Sequence, residues 1–228
     1  MKETRKELIL GTSLLAGFAC VLVIMFTPII NGQNPINYLD DLYNSISKGS
    51  VYYIPDLQQE TKSLAGKKIE VNVPFLKEEQ AKDFVTLFSK ISEDVKLLPN
   101  SVSMSGDLGI IMSQALVDSD LMFHNKGKEI ASKYGIPERQ TMYNWWLTVN
   151  AIDKQLKYEE RFDESKLVMS MKNKGIECAF NYYGVEPRQI SSAIMLVVAS
   201  LCFYVAYTLL FGFAIMYIFV GFGLKIGH

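Results

Sequence analysis

Hydrophobic positions along this chain gather in two charge-free blocks, one near each end, around a middle where polar and apolar residues alternate. The first block runs from Leu8 to Ile30, 23 residues without a charge. At a helical rise of ~1.5 Å per residue it spans roughly 35 Å, enough for a bilayer core. The second, Ile190 to Leu224, is charge-free over 35 residues. As one helix it would reach roughly 52 Å, well beyond a ~30 Å hydrocarbon layer. Pro187 suits its first turn, and the surplus length predicts a tilt, a kink near Gly212 or a portion packed on protein.

The middle predicts a mostly helical domain with a small sheet. Pro35 to about Ser47 reads as a short helix carrying Tyr38, Leu42 and Ile46. Lys68–Val73 alternates with Ile69, Val71 and Val73 on one side, the period of a half-buried strand. A helix over Lys77–Ser92 follows, then candidate strands at Val95–Leu98 and Ser101–Met104 around Pro99-Asn100. That order suggests a β-α-β unit. Helices are then expected over Asp107–Phe123, over Lys128–Tyr134 with a stop at Gly135, from Pro137 onward, and over Glu164–Asn173 with a stop before Gly175. In the Pro137 helix, Met142, Trp145, Val149, Ile152 and Leu156 recur at spacings of three and four.

The expected fold is therefore a mainly α membrane protein, two terminal transmembrane helices flanking a mostly helical α+β extracytoplasmic domain. Its boundaries fall at 1–7 for a cytoplasmic N-terminus, 8–30 for the first span, 31–189 for the soluble domain, 190–224 for the second span and 225–228 for a cytoplasmic C-terminus. Lys2, Arg5 and Lys6 before the first span set that orientation by the positive-inside rule. Lys172, Lys174 and Arg188 before the second span pull the other way, but charge in long loops weighs less. The first block is longer than the ~7–15 apolar residues of a signal peptide, and no small-x-small cleavage site follows it.

Within the blocks, small residues form stripes. Ser13, Ala16, Gly17 and Cys20 share one face of the first span; Ser192, Ala199 and Ala206 recur every seven residues in the second. Such stripes let helix backbones approach, so they are expected to meet each other or a partner's helices. Tyr204 and Tyr207 require hydroxyl partners in a helix contact or a bound lipid or quinone if they lie at mid-bilayer; a span that enters later puts Tyr204 in the outer aromatic belt instead. The blocks carry no His, Asp, Glu, Lys or Arg, which argues against a haem pair or an ion relay within them.

Charge adds one exclusion. Between residues 31 and 189 there are 19 basic and 22 acidic side chains, without the clustered positive field a nucleic-acid surface needs. Of Cys20, Cys178 and Cys202, only Cys178 lies in the middle, so no disulfide framework is expected. His124, four residues after Asp120, is a weak metal or acid–base candidate, and two ligands do not make a site. Met169, Met171 and Cys178 would suit Cu(I), although methionine at such spacing is expected to fill a core. Neither a cofactor nor a metal is expected. Trp145 and Trp146 are candidates for lipid or partner contact, with one of the pair assigned to the core. These features predict a non-catalytic accessory or scaffold subunit whose partners are other membrane subunits and the bilayer. The alternatives are a ligand-sensing or solute-binding membrane protein and a small homo-oligomeric two-span channel.

Overall fold

A computed structural model describes residues 2–92 and 94–224; the 225–228 segment lies outside them. Two compact units emerge, one formed by residues 1–49 with 186–228, the other by residues 50–185.

The first unit is built on α1 (Lys2–Phe26), α2 (Pro35–Ser50) and the last helix, α10 (Ile190–Gly221). Both α1 and α10 are long and apolar enough to cross a membrane. The first span is shorter at its far end than its apolar run. The helix stops at Phe26, ahead of Pro28, and the chain turns back through Asn31 and Gly32, both at positive φ, under an Ile30–Gln33 bridge. Asn34 Oδ1 then caps α2 by accepting the Asn37 N–H at 2.8 Å. The α10 helix starts at Ile190, three residues after Pro187, and stays one continuous helix through Gly212.

The helix α2 belongs with the spans rather than with the soluble domain expected from residue 31. The Arg188 N–H donates to Ser45 O at 3.0 Å, and the Tyr43 hydroxyl shares a 2.6 Å hydrogen bond with Ser200 Oγ. A Cβ on Gly49 would sit 2.9 Å from the Arg188 carbonyl oxygen. Composition disguised this: α2 is amphipathic and carries Asp40, Asp41 and Lys48, so it reads as the start of a soluble domain.

The second unit contains α3 (Ile54–Glu60), a 3-10 turn (Thr61–Leu64), β1 (Lys68–Pro74), α4 (Glu78–Phe88), β2 (Asp94–Leu97), β3 (Ser101–Asp107), α5 (Leu108–Phe123), α6 (Gly127–Tyr134), α7 (Glu138–Tyr158), α8 (Phe162–Met171), a π-helical segment (Lys172–Glu177) and α9 (Cys178–Asn181). The sheet order is β1-β3-β2 with both pairings antiparallel. The expected β-α-β unit is thus split: β1 and β2 run the same way, and β3 lies between them. A three-residue loop makes the β2–β3 hairpin the nearest pairing, so β3 takes the place beside β2. Ile69, Val71, Val73, Val102 and Met104 face inward and join Phe84, Leu87 and Phe88 of α4 in a core completed by α5 and α7. Five of the methionines outside the apolar blocks (Met104, Met112, Met122, Met142 and Met171) are buried in it.

Gly175 does not end the last helix of this unit. The α8 helix passes into the wide π turn and on to Asn181, and Gly175 lies where a Cβ would meet Leu116 Cδ2 at 2.6 Å. A missing side chain here admits α5 rather than stopping the chain.

Candidate functional site: an aromatic cavity beside a π-helical segment

Successive residues on a helix point ~100° apart, so Trp145 and Trp146 on α7 cannot share an environment. Trp145 is fully buried, and its indole N–H donates to Asp118 Oδ2 at 2.9 Å. Trp145 is thus the member of the pair that belongs to the core. Trp146 is half-buried and turns toward the π segment, where its N–H donates to Glu177 Oε1 at 2.7 Å.

That bond anchors one side of a cavity of about 260 Å³ lined by Met142, Tyr143, Trp146, Ile176, Phe180 and the polar pair Glu177 and Asn181. The Tyr143 and Trp146 rings, three residues apart on α7, lie nearly parallel with centroids 6.1 Å apart. Opposite them, the π turn and α9 supply Ile176, Glu177, Phe180 and Asn181. Single π turns inside helices recur at functional sites because the extra residue re-aims the side chains that follow.

Two cations stand on the rings. Lys172 Nζ lies 5.3 Å from the Trp146 centroid and 3.4 Å from Glu177 Oε1, and donates to Asn150 Oδ1 at 3.2 Å. The Arg139 guanidinium lies 5.3 Å from both the Phe180 and the Tyr183 centroids. The Tyr183 hydroxyl donates to Glu138 Oε1 at 3.1 Å, and burial, followed by that bond and charge, pushes its pKa up. Arg139 and Tyr143 also line an adjoining groove of about 860 Å³ with Leu76, Lys77, Gln80 and Leu147. Sequence reasoning singled out Trp146 but not Arg139, Tyr143, Glu177 or Phe180. Arg139 and Tyr143 lie on the helix from Pro137 whose apolar spacing marked only its inner face, and the π turn that aims Glu177 and Phe180 has no sequence mark.

Asp120 and His124 do come together. His124 Nδ1 lies 2.9 Å from the Asp120 carbonyl oxygen and 3.3 Å from Asp120 Oδ1. Asp120 Oδ1 is already the acceptor of the Tyr52 hydroxyl at 2.6 Å, and Tyr52 packs against both Phe123 and His124. Among the described residues, no group of three or more His, Cys, Asp and Glu is placed to hold a metal ion.

In the spans, the stripes do not meet each other. Ser13, Ala16, Gly17 and Cys20 are exposed on α1, as are Ser192, Ala199 and Ala206 on α10. The seam of α10 runs one residue further on, through Ala193, Ser200, Tyr207, Ala214 and Gly221, all buried or half-buried. On α1 it runs through Leu8, Gly11, Leu14, Phe18, Val21 and Met25. The closest approach needs glycine at two points: a Cβ on Gly11 would lie 2.7 Å from Ile218 N, and one on Gly221 the same distance from Leu8 N. Tyr207 donates to Phe18 O at 3.0 Å and stacks on the Phe18 ring at 4.3 Å, so it is held in the helix pair. Tyr204 is 67% exposed on the outer side.

No protein-family model, curated protein or solved structure matches this chain.

Proposed function

We propose that this protein is a non-catalytic accessory or scaffold subunit of a larger membrane complex, anchored by α1 and α10. The observation that carries the reading is the outer face of α7 and its surroundings. Tyr143 and Tyr158 are exposed there, the latter at 85%, with Leu147 and Ala151 partly so; nearby Leu76 is 92% exposed. Exposed apolar and aromatic side chains spaced along one helix face, among Lys77, Glu79, Asp83 and Lys154, have the makeup of a protein contact surface. The soluble unit lies on the extracytoplasmic side in this reading, supported by Arg5 and Lys6 ahead of the first span.

A photo-crosslinking residue placed at Leu76 or Tyr158, in the full chain in its own membrane, tests the assignment. One defined foreign polypeptide, crosslinked from both positions and not from a position on the opposite face of the domain, is the expected result. Crosslinks only between copies of this chain sink it in favour of a homo-oligomer.

A further inference from the structure

We propose that the cavity between α7 and the π segment binds a small amphiphilic organic anion, its apolar or aromatic body held among Met142, Tyr143, Trp146, Ile176 and Phe180 and its carboxylate met by Arg139. This goes beyond the subunit reading and does not depend on it. At about 260 Å³ the cavity falls just under the ~300–1,000 Å³ of drug-sized sites, so its guest is small. Its walls are mainly aromatic and aliphatic, which fixes an apolar body.

The charge of the head group follows from how the neighbouring ions are already engaged. An organic cation would need an open ring face or a free carboxylate in the cavity wall itself, and Glu79 and Asp83 line only the adjoining groove. Lys172 and Arg139 already lie over the Trp146 and Phe180 rings. The Glu177 carboxylate takes the Trp146 N–H and lies against Lys172, while Glu138 takes the Tyr183 hydroxyl. Arg139 is different. Among the described residues no carboxylate forms an ion pair with it, and its interactions are with the Phe180 and Tyr183 rings. A guanidinium stacked on two rings is pre-oriented, and its planar fork matches a carboxylate in bidentate geometry. Phe180, which forms a wall of the cavity, is also the ring on which Arg139 rests, so apolar body and anionic head are served from adjoining positions.

The test uses the full chain in phosphatidylcholine nanodiscs and three probes of one shape: 3-phenylpropionate, 3-phenylpropan-1-ol and 3-phenylpropylamine. Isothermal titration, with empty nanodiscs subtracted, should rank the acid first and the amine last, and added salt should weaken the acid alone. Arg139→Gln should reduce affinity for the acid by about tenfold and leave the alcohol unchanged. Tyr143→Ser should weaken acid and alcohol together, placing both in this cavity. Both side chains are exposed, so the variants should keep the native circular dichroism and melting profile. Amine binding as tight as acid, an acid affinity indifferent to Arg139→Gln, or no saturable binding of any probe overturns the proposal.

Discussion

Trp145 and Asp118 meet in the centre of the unit formed by residues 50–185, the indole N–H donating to Oδ2 at 2.9 Å with neither side chain exposed. The same carboxylate accepts from Tyr134 at 2.7 Å, Lys133 at 2.9 Å and Gln114 at 3.1 Å, so one buried charge ties α5, α6 and α7 together. Asp118→Ala leaves two buried donors without an acceptor and an ammonium without its counter-charge. We expect a loss of about 3–5 kcal/mol in denaturant unfolding of the full chain, followed by near-UV circular dichroism. A loss below about 1 kcal/mol would show that the hub adds little to stability.

Alkaline titration provides a second check. Tyr52 is pushed from 10.0 up to about 12, first by burial and then by its hydrogen bond to Asp120 and that carboxylate's charge. Its folded pKa lies above the unfolded one. The contribution of this contact is therefore complete below pH ~10 and is lost as pH rises through about 12. Ultraviolet phenolate titration should show a late-ionising tyrosine that Tyr52→Phe removes. Identical late segments in the two titration curves would refute the assignment.

What the sequence revealed follows from how each signal is written. Strand β1 was visible because a two-residue period needs only Ile69, Val71 and Val73, and α5 to α7 because apolar residues at three- and four-residue spacings mark one face. The Asp118 hub was not visible: Asp118, Tyr134 and Trp145 are scattered, and only packing of three helices brings them together. The helix seam was missed for a different reason. Counting small residues favoured Ser13 to Cys20, but the seam is made by shape, with Ile218 against Gly11, Leu8 against Gly221 and Phe18 stacked on Tyr207. Arg139 was not singled out, because only the placing of Phe180 by α9 sets a ring beneath it.

Gly109 sets two local effects against each other. Alanine is the better helix former by ~1 kcal/mol, which would favour Gly109→Ala in the first turn of α5. A Cβ there would lie 2.8 Å from Ala65 N and 2.9 Å from Ala65 Cα, backbone atoms that cannot rotate away. Asp107 holds that backbone in place, with Oδ2 accepting Gly66 N–H at 2.6 Å and Oδ1 accepting Ile110 N–H at 3.1 Å. Overpacking of ~1–3 kcal/mol outweighs the propensity gain, so Gly109→Ala should lower the melting temperature. A melting temperature equal to or above that of the native chain would mean that the turn before β1 yields.

In the helix pair, glycines of opposite consequence lie six residues apart on α1. Gly11 faces Ile218 and Ala214, whereas nothing lies within 4 Å of a Cβ on Gly17. Gly11→Val should force α1 and α10 apart, and Gly221→Val should do the same against Leu8. With overpacking at ~1–3 kcal/mol, both should unfold at a lower mole fraction of sodium dodecyl sulfate when titrated from mild detergent. Gly17→Val should leave that midpoint in place. Tyr207→Phe keeps the ring stack and deletes only the hydroxyl bond to Phe18, a change averaging ~0.6 kcal/mol in a membrane, so its midpoint should fall least. If Gly17→Val unfolds the pair as readily as Gly11→Val, the small-residue face of α1 rather than the Gly11 face carries the contact, and the seam described above is wrong.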